Sequence, residues 1–123
     1  MAKHTLTGLP RLLAAWRNSR AGFRDAWREE AFRIECVLLV LSLPAAAWLA
    51  QSALHMALLI GSLLVLLIVE ILNTAIEALV DRIGPERHDL SRAAKDLGSL
   101  AVLLAAFLPG LVWLAALYEK FAG

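Results

Sequence analysis

The segment 56–69 has the sequence MALLIGSLLVLLIV, which contains no charged residue and leads directly into Glu70. With the largely apolar residues that follow up to position 80, it supplies the ~20 residues that a helix needs to cross a bilayer. Lipid offers the backbone no hydrogen-bond partners, so a segment that crosses it must be helical. The segment therefore predicts a transmembrane helix that carries a carboxylate at or near the depth of the hydrocarbon.

Four polar residues of this helix share one face. At about 100° per residue, Asn73, Glu77 and Asp81 lie at about −60°, −20° and +20° from Glu70. A carboxylate in hydrocarbon costs at least ~2.5 kcal/mol and usually faces a bundle interior or a wet cavity. The face predicts a functional site, and the alternative is a set of polar contacts that only hold helices together.

The composition places the whole chain in a membrane. Its 123 residues are 60% hydrophobic with a mean hydropathy of +0.69, whereas soluble domains are about 45–50% apolar. A chain this short cannot hide the excess in a core. The apolar stretches predict transmembrane helices at 36–54, 55–80 and 97–118. We therefore expect an all-α membrane protein that forms a single domain over 1–123.

Positive charges concentrate in the segments 1–35 and 81–96, and the connection 51–55 holds no lysine or arginine. By the positive-inside rule, both basic segments are cytoplasmic. Aromatic and basic residues alternate through 11–35, which is typical of an amphipathic surface helix, and Gly22 could break it. Gly84-Pro85 predicts the end of the second span, and Ser91 is a possible N-cap of the third.

Three spans with one polar stripe enclose a site poorly by themselves. We therefore expect a homo-oligomer that buries the stripe between subunits. Small residues on the third span would permit close helix approach, and they are Gly98, Ser99, Ala101, Ala105 and Ala106.

The two glutamates of the stripe predict different roles. Glu70 and Glu77 are about 10.5 Å apart along the helix axis, too far for one metal ion to bridge. Glu77 is nearer the cytoplasm, where carboxylate and phosphate oxygens could together bind Mg²⁺. Glu70 lies deeper and is a candidate general base. Glu29 or Glu30, where the surface helix meets the membrane, adds a third acidic group at this level.

Lys95 and Asp96 stand at the mouth of the third span. The lysine could neutralise phosphate oxygens, and the aspartate could bind a metal ion or a ribose hydroxyl. The sequence contains no Walker loop, no protein-kinase Gly-rich loop and no H-E-x-x-H motif. Nucleotide chemistry would therefore need an unrelated solution.

Two runs, EILNTAIEALVDRIG at 70–84 and AKDLGS at 94–99, resemble the prokaryotic integral-membrane diacylglycerol kinase family. The resemblance covers nearly the whole chain. It implies a homotrimer in the bacterial inner membrane that transfers the γ-phosphoryl group of MgATP to the primary hydroxyl of diacylglycerol, giving phosphatidic acid. The expected partners are ATP, diacylglycerol and further copies of the chain, with Mg²⁺ bound as MgATP and no nucleic acid.

The resemblance also implies roles for individual residues. Glu70 would be the general base and Asn73 a partner in the same site. The metal ligands would be Glu77 and a glutamate of the surface helix, either Glu29 or Glu30. Nucleotide contacts are expected from Arg11, Asn18, Glu77, Glu86, Arg87, His88, Lys95 and Asp96. Lipid contacts are expected from Arg11, Ala31, Glu35, Trp48, Glu70, Ser99 and Trp113, of which the tryptophans are also typical of interfacial anchors.

Two other functions remain open at this point. Relatives of the same fold phosphorylate undecaprenol, so an undecaprenol kinase is the alternative within the enzyme class. From a different class, the stripe could line a path in a small proton or cation channel or transporter subunit. Against the channel, the segment 56–69 offers only Ser62 to continue a polar path across the bilayer.

Overall fold

Four helices make up the part of the chain that the computed structural model describes, residues 6–123. They are α1 (Leu9–Ala26), α2 (Glu30–Leu49), α3 (Ala53–Ile83) and α4 (Asp89–Phe121). The predicted surface segment starts at residue 1, and its first five positions lie outside the described residues.

Three of these helices, α2, α3 and α4, are long and apolar enough to cross a membrane. With 20 residues, α2 is about 30 Å long, which matches the thickness of the hydrocarbon core. With 31 and 33 residues, α3 and α4 are about 45–50 Å long and extend beyond that core. The predicted all-α architecture with three membrane spans is confirmed.

The helix α1 carries an apolar stripe that no other described helix covers. Leu9, Leu12, Leu13 and Trp16 fall on one side of the helix, and all four side chains are exposed. Contacts between α1 and the other described helices are sparse. An exposed apolar stripe beside arginines fits a helix that lies on a membrane surface, as predicted.

The break after α1 falls at 27–29, and Gly22 stays inside the helix. A glycine within a helix costs only about 1 kcal/mol, which the rest of the helix can offset. At the actual break, the rings of Phe23, Trp27 and Phe32 pack around the turn, with centroids 5.6–6.4 Å apart. The turn from α1 into α2 is therefore built on aromatic packing.

The helix of the first span, α2, runs from Glu30 to Leu49, so it begins and ends earlier than the predicted span 36–54. Glu35 consequently belongs to the same helix as the apolar residues that follow. The segment 50–52 forms a tight turn, in which the Ser52 side chain accepts a hydrogen bond from the backbone N–H of His55 at 3.0 Å. This turn marks one end of the bundle, here called the turn end.

The predicted loop 81–96 contains only five non-helical residues, 84–88, which mark the opposite end of the bundle, here called the loop end. As predicted, Gly84-Pro85 ends α3. Ile83 is its last residue, Gly84 is its C-cap with a φ of 145° that favours glycine, and Pro85 follows. The cap of α4 is His88, and Ser91 lies inside the helix. The His88 Nδ1 accepts a hydrogen bond from the Leu90 N–H at 3.1 Å. The cap therefore lies three residues before the predicted one.

A small hydrophobic cluster holds α2, α3 and α4 together at the turn end. Its buried members are Ala46 and Leu49 of α2, Leu59 of α3 and Ala116 of α4. The Trp113 indole N–H donates to the Leu59 carbonyl at 3.1 Å, which joins α4 to α3. The charged residues of α3 lie toward the other end, so the core and the polar face are separated along the bundle.

Candidate active site

Glu70 lies about 26 Å along the α3 axis from Ala53, near the far boundary of a ~30 Å hydrocarbon core. Its side chain is half-buried and interacts electrostatically with the carboxylates of Glu35 and Glu77. Glu35 Oε2 is buried and has no hydrogen-bond partner among the described residues. The structure therefore brings together Glu35, which α2 provides, and the predicted base Glu70.

One turn further along α3, Asn73 and Glu77 are in direct contact. The Asn73 Nδ2 donates to Glu77 Oε1 at 3.2 Å, and both side chains are half-buried. The other side of the Asn73 amide lies against Gly98 of α4, which is buried. Asn73 thus links Glu77 of α3 to the start of α4.

Lys95 of α4 reaches the same face of α3. Its Nζ lies 2.7 Å from Asp81 Oδ1, and the two side chains are 44% and 68% exposed. Glu77 also interacts electrostatically with this ammonium group. A cation that water can reach therefore stands beside the carboxylates, where it could meet an anionic ligand.

The loop residues predicted to contact a nucleotide line one shallow cavity. Its volume is about 220 Å³, and its lining includes Glu86, Arg87, His88 and Lys95, together with Asp81. Asp96 does not line it, and instead its carboxylate pairs with Arg92 at 2.9 Å on the exposed side of α4. The structure therefore groups four of the predicted nucleotide contacts around the cavity, and Asp96 is linked to its edge through Arg92, which also lines it.

The surface-helix candidates are exposed and lie apart from this group. Arg11 and Asn18 lie on α1, whereas Glu29 caps α2 and Glu30 is its first residue. Among residues 6–123, no cluster of three metal-binding side chains is present. One chain therefore does not gather Glu77 with either glutamate into a complete metal site.

The predicted lipid contacts divide between the two ends of the bundle. Ala31 and Ser99 are exposed near the loop end. Trp48 and Trp113 lie at the turn end, where Trp48 packs against Phe121 and beneath the Lys120 ammonium, 4.4 Å from its ring centre. Along α2, Trp48 is about 20 Å from Glu35. This position suits the alternative role of an interfacial anchor.

Sequence reasoning missed two contacts between α3 and α4. Asp81 was part of the predicted polar face, but its ion pair with Lys95 was not foreseen. Gly98 was predicted to permit close helix approach, and it does so, but its specific neighbour, Asn73 of α3, was not predicted. The available signal was the small number of residues between the two helices, which places the end of α3 beside the start of α4.

The donor set fits Mg²⁺ that arrives with ATP. Glu77 Oε1 is engaged by Asn73, and among the described residues no hydrogen bond to its other oxygen is present. Mg²⁺ usually takes one or two protein carboxylates and completes its shell with phosphate oxygens and water. Glu77 therefore has a carboxylate oxygen that could bind such an ion, with the Lys95 ammonium on the same face of α3.

Comparison with known proteins gives a consistent result. The family model described as prokaryotic diacylglycerol kinase matches residues 17–117. A diacylglycerol kinase of Escherichia coli (strain K12) is 48% identical over 122 residues, which cover 98% of this chain and 99% of that protein. The diacylglycerol kinase of Haemophilus influenzae is 42% identical over 87% of this chain and 92% of its own length. One from Helicobacter pylori (strain 26695) is 38% identical over 92% and 91%.

Proposed function

The chain belongs to the prokaryotic diacylglycerol kinase family, and from that premise we propose that the polar face of α3 is where it phosphorylates diacylglycerol with MgATP. It is an enzyme, a membrane-embedded lipid kinase, and its product is phosphatidic acid. One observation supports the location best. Carboxylates near the hydrocarbon boundary stand within a few turns of a cation and a cavity at the loop end. A lipid alcohol and a nucleotide can reach such a place from opposite sides.

The proposed reaction is in-line phosphoryl transfer. The lipid hydroxyl oxygen forms a bond to the γ-phosphorus as the bond to the departing ADP oxygen breaks, and the hydroxyl proton passes to Glu70. Positioning and charge neutralisation supply most of the catalysis in such reactions. Glu70 is suited to the proton transfer because it lies deepest of the α3 carboxylates, where the headgroup of a membrane lipid is accessible.

The nucleotide is proposed to bind at the loop end. Lys95, with Glu86, Arg87 and His88 beside it, would contact the phosphates and the rest of the nucleotide. Glu77 would hold the Mg²⁺ that accompanies ATP, and this ion neutralises phosphate charge when it is bound. Asn73 orients Glu77 through their hydrogen bond.

We propose that a homotrimer completes the site. Glu29, Glu30, Arg11 and Asn18 are exposed on the surface-helix side and do not meet Glu77 within one chain. A neighbouring copy could supply them. Co-expression of Glu70→Gln chains with Glu29→Gln or Glu30→Gln chains tests this, because mixed oligomers would regain activity if one site used residues of two chains. No recovery in any pair would argue for a site within one chain.

The proposed location is the bacterial inner membrane, with the loop end and α1 in the cytoplasm. Arg82, Arg87, Arg92 and Lys95 lie at or near the loop end, whereas the 50–52 turn carries no charge. This asymmetry follows the positive-inside rule. A single cysteine placed at position 51 or at position 86 can be tested for labelling from outside intact cells. Labelling at 86 and not at 51 would reverse the proposed orientation.

The decisive test is an activity assay. Purified protein in detergent or lipidic mesophase should form phosphatidic acid from short-chain diacylglycerol only when MgATP is present. Undecaprenol in the same assay measures the competing substrate, and faster phosphorylation of it would contradict the proposal. The channel alternative receives no support from α3, because the Ser62 hydroxyl is buried and donates to the Leu59 carbonyl at 2.9 Å.

A further inference from the structure

Gly98 occupies a position on α4 that has no room for a side chain. It is buried, and a Cβ built on it would overlap Asn73 Oδ1 and lie 3.3 Å from Asn73 Cγ. Gly61 on α3 and Gly110 on α4 have open space in the same direction. The restriction at Gly98 therefore comes from one specific neighbour, the Asn73 amide.

The hydrogen bond to Glu77 fixes which way this amide points. A carboxylate only accepts hydrogen bonds, so the Asn73 nitrogen must face Glu77 and the Asn73 oxygen must face the opposite side. That side is Gly98. Asn73 Oδ1 is buried and has no hydrogen-bond partner among the described residues. A glycine Cα–H can approach a carbonyl oxygen more closely than any side chain allows, and gives it a weak contact.

We propose that Gly98 is a positioning residue of the active site. The space left by its missing Cβ holds the Asn73 amide in the orientation that fixes Glu77. The inference rests on the proposed function, in which Glu77 binds the Mg²⁺ of MgATP. Gly98 is then the second residue of α4 that contributes to the site. The first is Lys95, which lies three residues before Gly98 on the same side of the helix.

A methyl group at position 98 would make the Asn73 amide rotate and release Glu77 Oε1. We expect Gly98→Ala to raise the KM for MgATP and the Mg²⁺ concentration at half-maximal rate by about threefold to tenfold, the weight of one hydrogen bond. The KM for diacylglycerol should stay within about twofold of wild type, because Glu70 is not displaced. A role confined to helix packing would not separate the two substrates in this way.

Gly110→Ala is the matched control. It places the same alanine in the same helix, gains the same helix propensity and meets no neighbouring atom. Its KM values should equal those of wild type. If Gly98→Ala and Gly110→Ala have the same KM for MgATP, Gly98 has no positioning role and the proposal is overturned.

A thermal double-mutant cycle keeps the proposal testable even if Gly98→Ala folds poorly. The change in Tm on Gly98→Ala should be more favourable in an Asn73→Ala background than in wild type, because the overlap is gone. Equal changes in the two backgrounds would overturn the proposal. The cycle needs no catalysis, so it stays informative if wild-type protein fails to phosphorylate diacylglycerol, a result that would instead refute the proposed function.

Discussion

Replacing Glu70 by glutamine separates a catalytic role from a structural one. Glu70 interacts electrostatically with the carboxylates of Glu35 and Glu77. Glutamine keeps the shape and the hydrogen-bonding capacity of the side chain. It removes the charge, and with it both repulsions and the desolvation cost of a carboxylate near hydrocarbon. The free energy of unfolding should therefore hold or rise.

Catalysis should respond differently from stability, with a large loss of rate. An amide cannot accept the hydroxyl proton, and general base catalysis is typically worth about 10²–10⁴-fold. Each tenfold change in rate is about 1.4 kcal/mol of activation free energy, so the barrier should rise by about 3–5 kcal/mol. The assay is the initial rate of phosphatidic acid formation at saturating MgATP and diacylglycerol. The free energy of unfolding is measured by titration with sodium dodecyl sulfate, monitored through the circular dichroism of the tryptophans.

Glu119→Gln provides the control, since it makes the same chemical change at an exposed position near the turn end. Its rate should equal that of wild type. If Glu70 only held helices together, glutamine would still hydrogen-bond and the rate would stay high. A Glu70→Gln protein that retains more than about a tenth of the wild-type rate would refute the general-base assignment.

Three further predictions concern the nucleotide side. Glu77→Gln should weaken the Mg²⁺ dependence and lower turnover while detergent-extracted oligomers stay intact, and an unchanged Mg²⁺ titration would remove Glu77 from the metal site. Glu29→Gln and Glu30→Gln, assayed separately, should give one large and one small loss of turnover; equal losses would mean that the residue-by-residue match in this region is wrong. Lys95→Met removes the charge and keeps an apolar stem, so it should raise the KM for MgATP more than the KM for diacylglycerol, with Arg82→Met as an exposed control. The reverse pattern would place Lys95 on the lipid side.

Much of the fold could be predicted because its signals are local. The uncharged segment 56–69 predicts a span, and in the polar stripe that follows it Glu70, Asn73 and Glu77 are half-buried, whereas Asp81 is exposed. Helix ends were less predictable. Gly84-Pro85 ends α3 as expected, since a φ of 145° needs a glycine. The break between α1 and α2 depends on how Phe32 packs against Phe23 and Trp27 across the turn, and this contact between two helices is not encoded by the spacing within either one.

The candidate site divides in the same way. Asn73 and Glu77 are four residues apart on one helix, so their contact follows from helical geometry. The Lys95–Asp81 pair and the fit of Gly98 against Asn73 join different helices, and their register depends on the exact course of the 84–88 loop. Arg11 and Asn18 are predicted only through the resemblance, whereas Glu29 or Glu30 also follows from its position where the surface helix meets the membrane. In the proposed homotrimer, their place in the site depends on contacts between chains.

The separation of core and polar face along the bundle also bears on how a substrate confined to the bilayer can enter. The hydrophobic cluster and the Trp113–Leu59 hydrogen bond fasten the three spans at the turn end. At the loop end, the α3–α4 ion pair of Lys95 and Asp81 is exposed to water. If the proposed site is correct, a slight tilt of one helix about the turn end would open the bundle beside Glu70 and leave the core packed. The turn end would then be the fixed point of the motion, and a lipid would enter and leave from the side without unfolding of the bundle.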